Sequence, residues 1–259
     1  MDNVYIEHPI FEQLSEYAKF YEDLSYSIMS FISMGTQSII NIDTYVYSSM
    51  QGTLESIRDV LIKGRMNDAY TLLRKYYDAA TINIFTNLYL EDHFSIENFV
   101  VEKIDNWLKA KEQLPTIQIM NSYIEKSEKV ANIYKLIHIN KRYSELRKRC
   151  NDHTHYNFYY NMVQNDNQVY LKNRLVVLNR FSKDLENILI FHLSYLFSIK
   201  DIYMMASDYL DCVDCGIPPE PDSQYLVAPF IQEIFDTVIK KNRMDLALEI
   251  KKSTVMRLE

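Results

Sequence analysis

The chain is short of the residues that make tight turns: 4 glycines and 6 prolines in 259 residues. Average usage of about 7% and about 5% would give roughly 18 and 13. Glycine supplies positive-φ turns and proline marks sheet edges and corners. Their scarcity argues against sandwiches, barrels and glycine-rich phosphate loops. The three cysteines, Cys150, Cys212 and Cys215, are too few and too odd in number for a disulfide framework. That pattern fits a reducing compartment, and a cytoplasmic location is the expectation. No apolar run approaches the roughly 20 residues of a membrane span. The longest, residues 188–197, is interrupted by His192 and Ser194, so no membrane partner is expected. The opening Met1-Asp2-Asn3-Val4 has neither a basic nor an apolar leader pattern, so no signal peptide is expected. Positive charge is also in deficit, with a formal net charge of −7. A protein that coats duplexes non-specifically is generally basic. Any contact with nucleic acid is therefore expected to be local.

What is present is helical periodicity. With 47% hydrophobic residues, the composition is that of a globular chain, and apolar side chains recur at three- and four-residue steps. A first helix is predicted over residues 9–34, stopped at Gly35, with a loop over 36–41. A second starts near Asp43 as N-cap and ends at Gly64. A third, capped by Asn67 or Asp68, runs to about Leu90. A fourth begins near Asp92 or Ser95 and ends before Pro115. Helical stretches follow over 116–137 and 140–153, then an asparagine-rich polar segment over 151–167. The pattern over 169–208 is continuously helical and long enough to predict a kink or an unmarked turn. The fold class is all-α: a multi-helix bundle over residues 1–210, a proline-rich linker over 211–222, and a C-terminal helical appendage over 223–259 with a turn near Asn242.

One stretch carries candidate chemistry. Residues 143–155 read Tyr-Ser-Glu-Leu-Arg-Lys-Arg-Cys-Asn-Asp-His-Thr-His, with two of the six histidines falling within three residues. Between Lys135 and His153 there are six basic residues against two acidic ones, a local excess of positive charge inside an acidic chain. Metal-independent RNA cleavage needs this combination. An arginine holds the scissile phosphate and its growing charge. A histidine moves the 2′-hydroxyl proton or protonates the leaving oxygen. An asparagine can orient either group.

Arg149-Cys150-Asn151-Asp152-His153-Thr154-His155 resembles the Arg-x4–6-His motif of HEPN domains, all-α bundles found in many prokaryotic toxins, abortive-infection proteins and CRISPR-associated ribonucleases. The family often has Arg-Asn-x3-His. Here Asn151 and His155 keep that spacing while Cys150 displaces Arg149 by one place. Arg147 lies six residues before His153, so two registers overlap, and Arg147 or Arg149, and His153 or His155, remain alternatives. Residues 60–78, with Arg74 and Asp78 at i, i+4, resemble the helix–turn–helix entry of such bundles, and the likeness spans about residues 43–200. The resemblance implies a metal-independent endoribonuclease of toxin–antitoxin or antiviral-defence type, with RNA as partner, a site shared across a homodimer, and no cofactor. The alternative is a catalytically silent HEPN-like module that binds a partner protein as sensor, scaffold or toxin-neutralising partner. On a continuous helix Arg149 and His155 stand about 120° apart. They converge only if the helix ends or bends there, or if a second subunit supplies one of them.

The remaining features have plainer readings. Arg147, Arg149 and His155 also suit a solvated helix end, and Arg74 with Asp78 suits a structural pair. Cys212-x2-Cys215 lacks the second pair that a zinc site needs. His192 lies on an apolar face and reads as a core or interface histidine. Tyr156, Tyr159 and Tyr160 suit packing or base stacking. The run Lys240-Lys241-Asn242-Arg243 reads as a solvated face.

Overall fold

A computed structural model describes residues 3–29, 39–95, 100–166 and 173–259. Among them the elements are helices: α1 (Asn3–Ile6), α2 (Ile10–Met29), α3 (Ile42–Ile62), α4 (Met66–His93), α5 (Glu102–Leu108), α6 (Ile117–Lys126), α7 (Ala131–Ile137), α8 (Arg142–Thr154), α9 (Tyr159–Val163), α10 (Arg174–Ile199), α11 (Ser207–Asp214), α12 (Pro229–Ile234) and α13 (Met244–Ser253). An isolated antiparallel bridge joins Met205 to Val227. The all-α expectation holds. The predicted stop at Gly35 and most of the loop after it lie outside the described residues.

The bundle is built on α4. It packs against α3, α6, α8 and α10, and α2 packs against α3. Its buried face carries Leu73, Tyr76, Ala80, Ile84 and Leu88 at helical spacing. Gly64 makes the α3–α4 corner at φ 74°, a backbone state open to glycine at little cost. Around it the Arg65 amide donates to Val60 O at 3.0 Å and the Gly64 amide to Leu61 O at 2.8 Å, satisfying carbonyls the helix leaves open.

Several predicted boundaries move. Asp43 is not the N-cap of α3. That position is Asn41, and Asp43 is buried and hydrogen-bonded by three side chains. Neither Asn67 nor Asp68 caps α4, whose N-cap is Arg65. Helix α4 continues through His93, so Asp92 lies inside it, and among the described residues between α4 and Pro115 only Glu102–Leu108 is helical. The stretch 116–137 breaks between Lys126 and Ala131, where Ser127 turns extended and the chain is re-aimed to bury Val130, Ile133 and Ile137. The long pattern over 169–208 breaks at Lys200, and a 3₁₀ turn leads to α11.

The C-terminal segment is not held apart as an appendage. Ile231, Phe235, Ile239, Leu246 and Ile250 belong to the same hydrophobic cluster as the bundle core. Helix α13 packs on α7 and α10. Helix α12 runs directly into a π-helical turn, Phe235–Lys240, and the expected turn after Asn242 separates it from α13.

Candidate functional site

The histidine-bearing segment is helix α8, and its packing decides which residues meet. Tyr143, Leu146, Cys150 and His153 form its buried seam, facing α4. Polar residues of the motif therefore fall on two sides of that seam.

On one side stands Arg149. Its Nε donates to Asp184 Oδ2 at 2.9 Å and its Nη2 to Asp184 Oδ1 at 2.5 Å. The Asp184 side chain, on α10, is only 3% exposed. Burial pushes its carboxyl above the ordinary aspartate range, and Arg149 pulls against that. One turn further along, His153 is buried against Tyr70, with ring centroids 4.1 Å apart and planes 9° from parallel. Its Nδ1 lies 3.0 Å from Asn67 Oδ1. An amide oxygen only accepts, so Nδ1 carries the proton and Nε2 the lone pair. Burial lowers the His153 pKa to about 4, so the ring is neutral at pH 7. Arg149 and His153, with Tyr70, Tyr160, Gln164 and Arg180, line a cleft of about 310 Å³.

On the other side stand Arg147 and Asn151. Arg74 of α4 bonds Asp78 through Nε at 2.9 Å, and its Nη1 donates to Asn151 Oδ1. Arg147 Nη1 lies 3.5 Å from the second Asp78 oxygen. Two guanidiniums thus share one carboxylate, leaving one positive charge in excess, and all three side chains are 20–30% exposed. The i, i+4 pair expected of Arg74 and Asp78 is present, and it reaches the motif helix.

His155 is the C-cap residue of α8 and is exposed. It follows Asn151 by four residues, about 40° round the helix, and so continues the Arg147–Asn151 side. The helix stays regular to Thr154. No bend brings His155 round to Arg149, and neither pair at the family's spacing, Arg149 with His155 or Arg147 with His153, is gathered on one side of α8. The helix end closes by the Tyr156 amide donating to His153 O at 3.3 Å and the Asn157 amide to Asp152 O at 3.0 Å. That closure puts Tyr156 at φ 49°, a left-handed position where glycine is usual. Beyond it, Tyr156, Phe158, Tyr159, Tyr160 and Met162 are exposed together, Tyr159 by 80%.

Cys150 is no nucleophile. Burial pushes its thiol up to about 12, so the thiolate is absent at neutral pH. Among the described residues no group of three or more His, Cys, Asp or Glu side chains is placed to hold a metal ion, and no helix is long and apolar enough to cross a membrane. Asp184 and Asn67, the partners that fix Arg149 and His153, could not be read from local spacing, because they lie 35 and 86 residues away. Comparison with family models, with curated protein sequences and with solved structures found no match for the chain.

Proposed function

We propose that this protein is a HEPN-like, metal-independent endoribonuclease of toxin or phage-defence type. The carrying observation is the Arg74–Asn151 contact, which places a cation one helical turn from the exposed His155. In this reading Arg74, with Arg147 behind it, holds the phosphate and Asn151 orients it. His155 moves the proton on or off the ribose oxygens. Arg149 and His153 set the pose of α8 through Asp184 and Asn67 rather than meeting RNA.

The exposed aromatic group next to His155 supports a second copy as partner. Contiguous exposed apolar surface on a soluble protein marks an interaction site, and a homodimer seated there would bring two such edges together. The test is incubation of purified protein with single-stranded and hairpin RNA in the presence of a chelator. Cleavage by the wild type that is lost in His155→Ala supports the reading. Intact RNA with a folded wild type contradicts it.

A silent binding module is the second reading. What favours it is that Asp78 is shared by both arginines on the exposed side, while Arg149 and His153 are committed to packing. It predicts RNA or protein binding without turnover.

A further inference from the structure

A second cleft, of about 450 Å³, opens at the far end of α4, between the start of α3 and the end of α10. Ile39, Ile42, Leu90, Phe94 and Ile199 form its apolar walls. Apolar walls with a few convergent polar groups are the usual make-up of a small-molecule site. Here the polar groups include one buried carboxylate, Asp43, and one ammonium, Lys200.

Asp43 ends a one-directional chain of donors through the core. The Tyr21 hydroxyl lies 3.0 Å from Tyr76 OH and 2.8 Å from His192 Nδ1, and His192 Nε2 lies 2.8 Å from Asn83 Oδ1. Asn83 Nδ2 donates to Asp43 Oδ1 at 2.6 Å. The carboxylate can only accept, so Asn83 points its oxygen at His192, Nε2 is the protonated nitrogen, and Tyr21 donates to Nδ1. Asn87 adds a 2.9 Å bond to Oδ1, and the Tyr203 hydroxyl a 2.7 Å bond to Oδ2.

Every one of these donors is neutral. Among the described residues no cation lies within ion-pair distance of Asp43, and no carboxylate lies within ion-pair distance of Lys200. The sequences of residues 30–38 and 96–99 contain no lysine or arginine. Glu91, which also lines the cleft, is already paired with Lys129. A buried charge with no countercharge is costly, and a carboxylate has about four acceptor positions, of which three are filled here.

We infer that this cleft binds a small zwitterion with an apolar side chain, of the class of an apolar amino acid: its ammonium on Asp43, its carboxylate on Lys200, its side chain among the isoleucines and Phe94. An amine alone would face Lys200, and an acid alone would face Asp43. Only a ligand bearing both charges complements both groups. The inference does not depend on the RNA reading.

The test is calorimetric titration of the full chain with L-leucine and L-phenylalanine, against 3-methylbutylamine and 4-methylpentanoate. The amino acids should bind saturably at one site. Each single-charge analogue should bind about tenfold more weakly or worse, the loss expected of one charge-assisted hydrogen bond. Asp43→Asn should weaken leucine by a similar factor. Because Asp43 also anchors core donors, Leu90→Trp serves as the second variant: it fills the cleft from α4, away from the Asp43 side chain itself, and should abolish binding while the far-ultraviolet circular dichroism is unchanged. Absence of saturable binding to the wild type would overturn the inference. So would an amine that binds as well as the amino acid, or unchanged affinity in folded Leu90→Trp.

Discussion

Arg149 and Asp184 are joined by two hydrogen bonds, with the carboxylate almost wholly buried and the guanidinium partly exposed. The pair ties the motif helix to α10, and removing one partner leaves the other charge unmatched. Arg149→Ala is expected to lower unfolding free energy by about 2–3 kcal/mol at pH 7. The deficit should shrink at lower pH, because a lone buried Asp184 takes up a proton. Arg149→Met with Asp184→Leu should recover most of the loss. Urea denaturation at pH 7 and pH 5 checks all three.

Two buried histidines set an acid limit on stability. Burial lowers His153 to about 4 and His192 to about 3, against about 6.5 in an unfolded chain. Above pH 6.5 both states are neutral and the folded protein is fully stable. As pH falls from there toward 4, the unfolded state takes up protons the native state refuses, so stability falls with pH. Urea midpoints measured from pH 7 to pH 4.5 should decline. His153→Gln, though less stable at pH 7, should show a flatter decline over that window.

Tyr156 occupies a left-handed position at the end of α8, with its ring partly exposed. That backbone state costs a non-glycine residue about 1 kcal/mol. Tyr156→Gly is therefore expected to raise thermal stability while removing one ring from the exposed aromatic group. If that group seats a second copy, the same variant should weaken self-association in sedimentation equilibrium. A variant that is more stable and equally associated would separate the backbone effect from any interface role.

Local features were legible in the sequence, and their partners were not. Periodicity placed α8 within two residues of its bounds, and Gly64 was readable as a helix stop because a left-handed corner favours glycine. The i, i+4 spacing of Arg74 and Asp78 foretold their pairing, and an apolar face foretold a buried His192. Asp43 shows the limit. An aspartate just before an apolar run reads as an N-cap, yet tertiary packing turned it inward to accept from Asn83, Asn87 and Tyr203. The motif arginines show it again. Spacing says which side of a helix a residue occupies. It does not say that Asp184 waits across from Arg149 or that Arg74 reaches Asn151, since those contacts depend on how α4, α8 and α10 are set against one another. A continuous apolar pattern likewise does not reveal where α10 ends, because Lys200 and the 3₁₀ turn after it follow no turn residue.

The division of labour across the buried seam of α8 is the central claim, and RNA cleavage in chelator by matched variants tests it most directly. Initial rates on a single-stranded substrate should fall at least about 100-fold in His155→Ala, the usual loss of a general acid or base, and to a similar degree in Arg74→Lys, with melting temperatures close to wild type for His155→Ala. His153→Ala should instead lose stability and keep its rate per folded molecule. A wild-type rate in His155→Ala, or a rate loss confined to folded His153→Ala, would contradict the account.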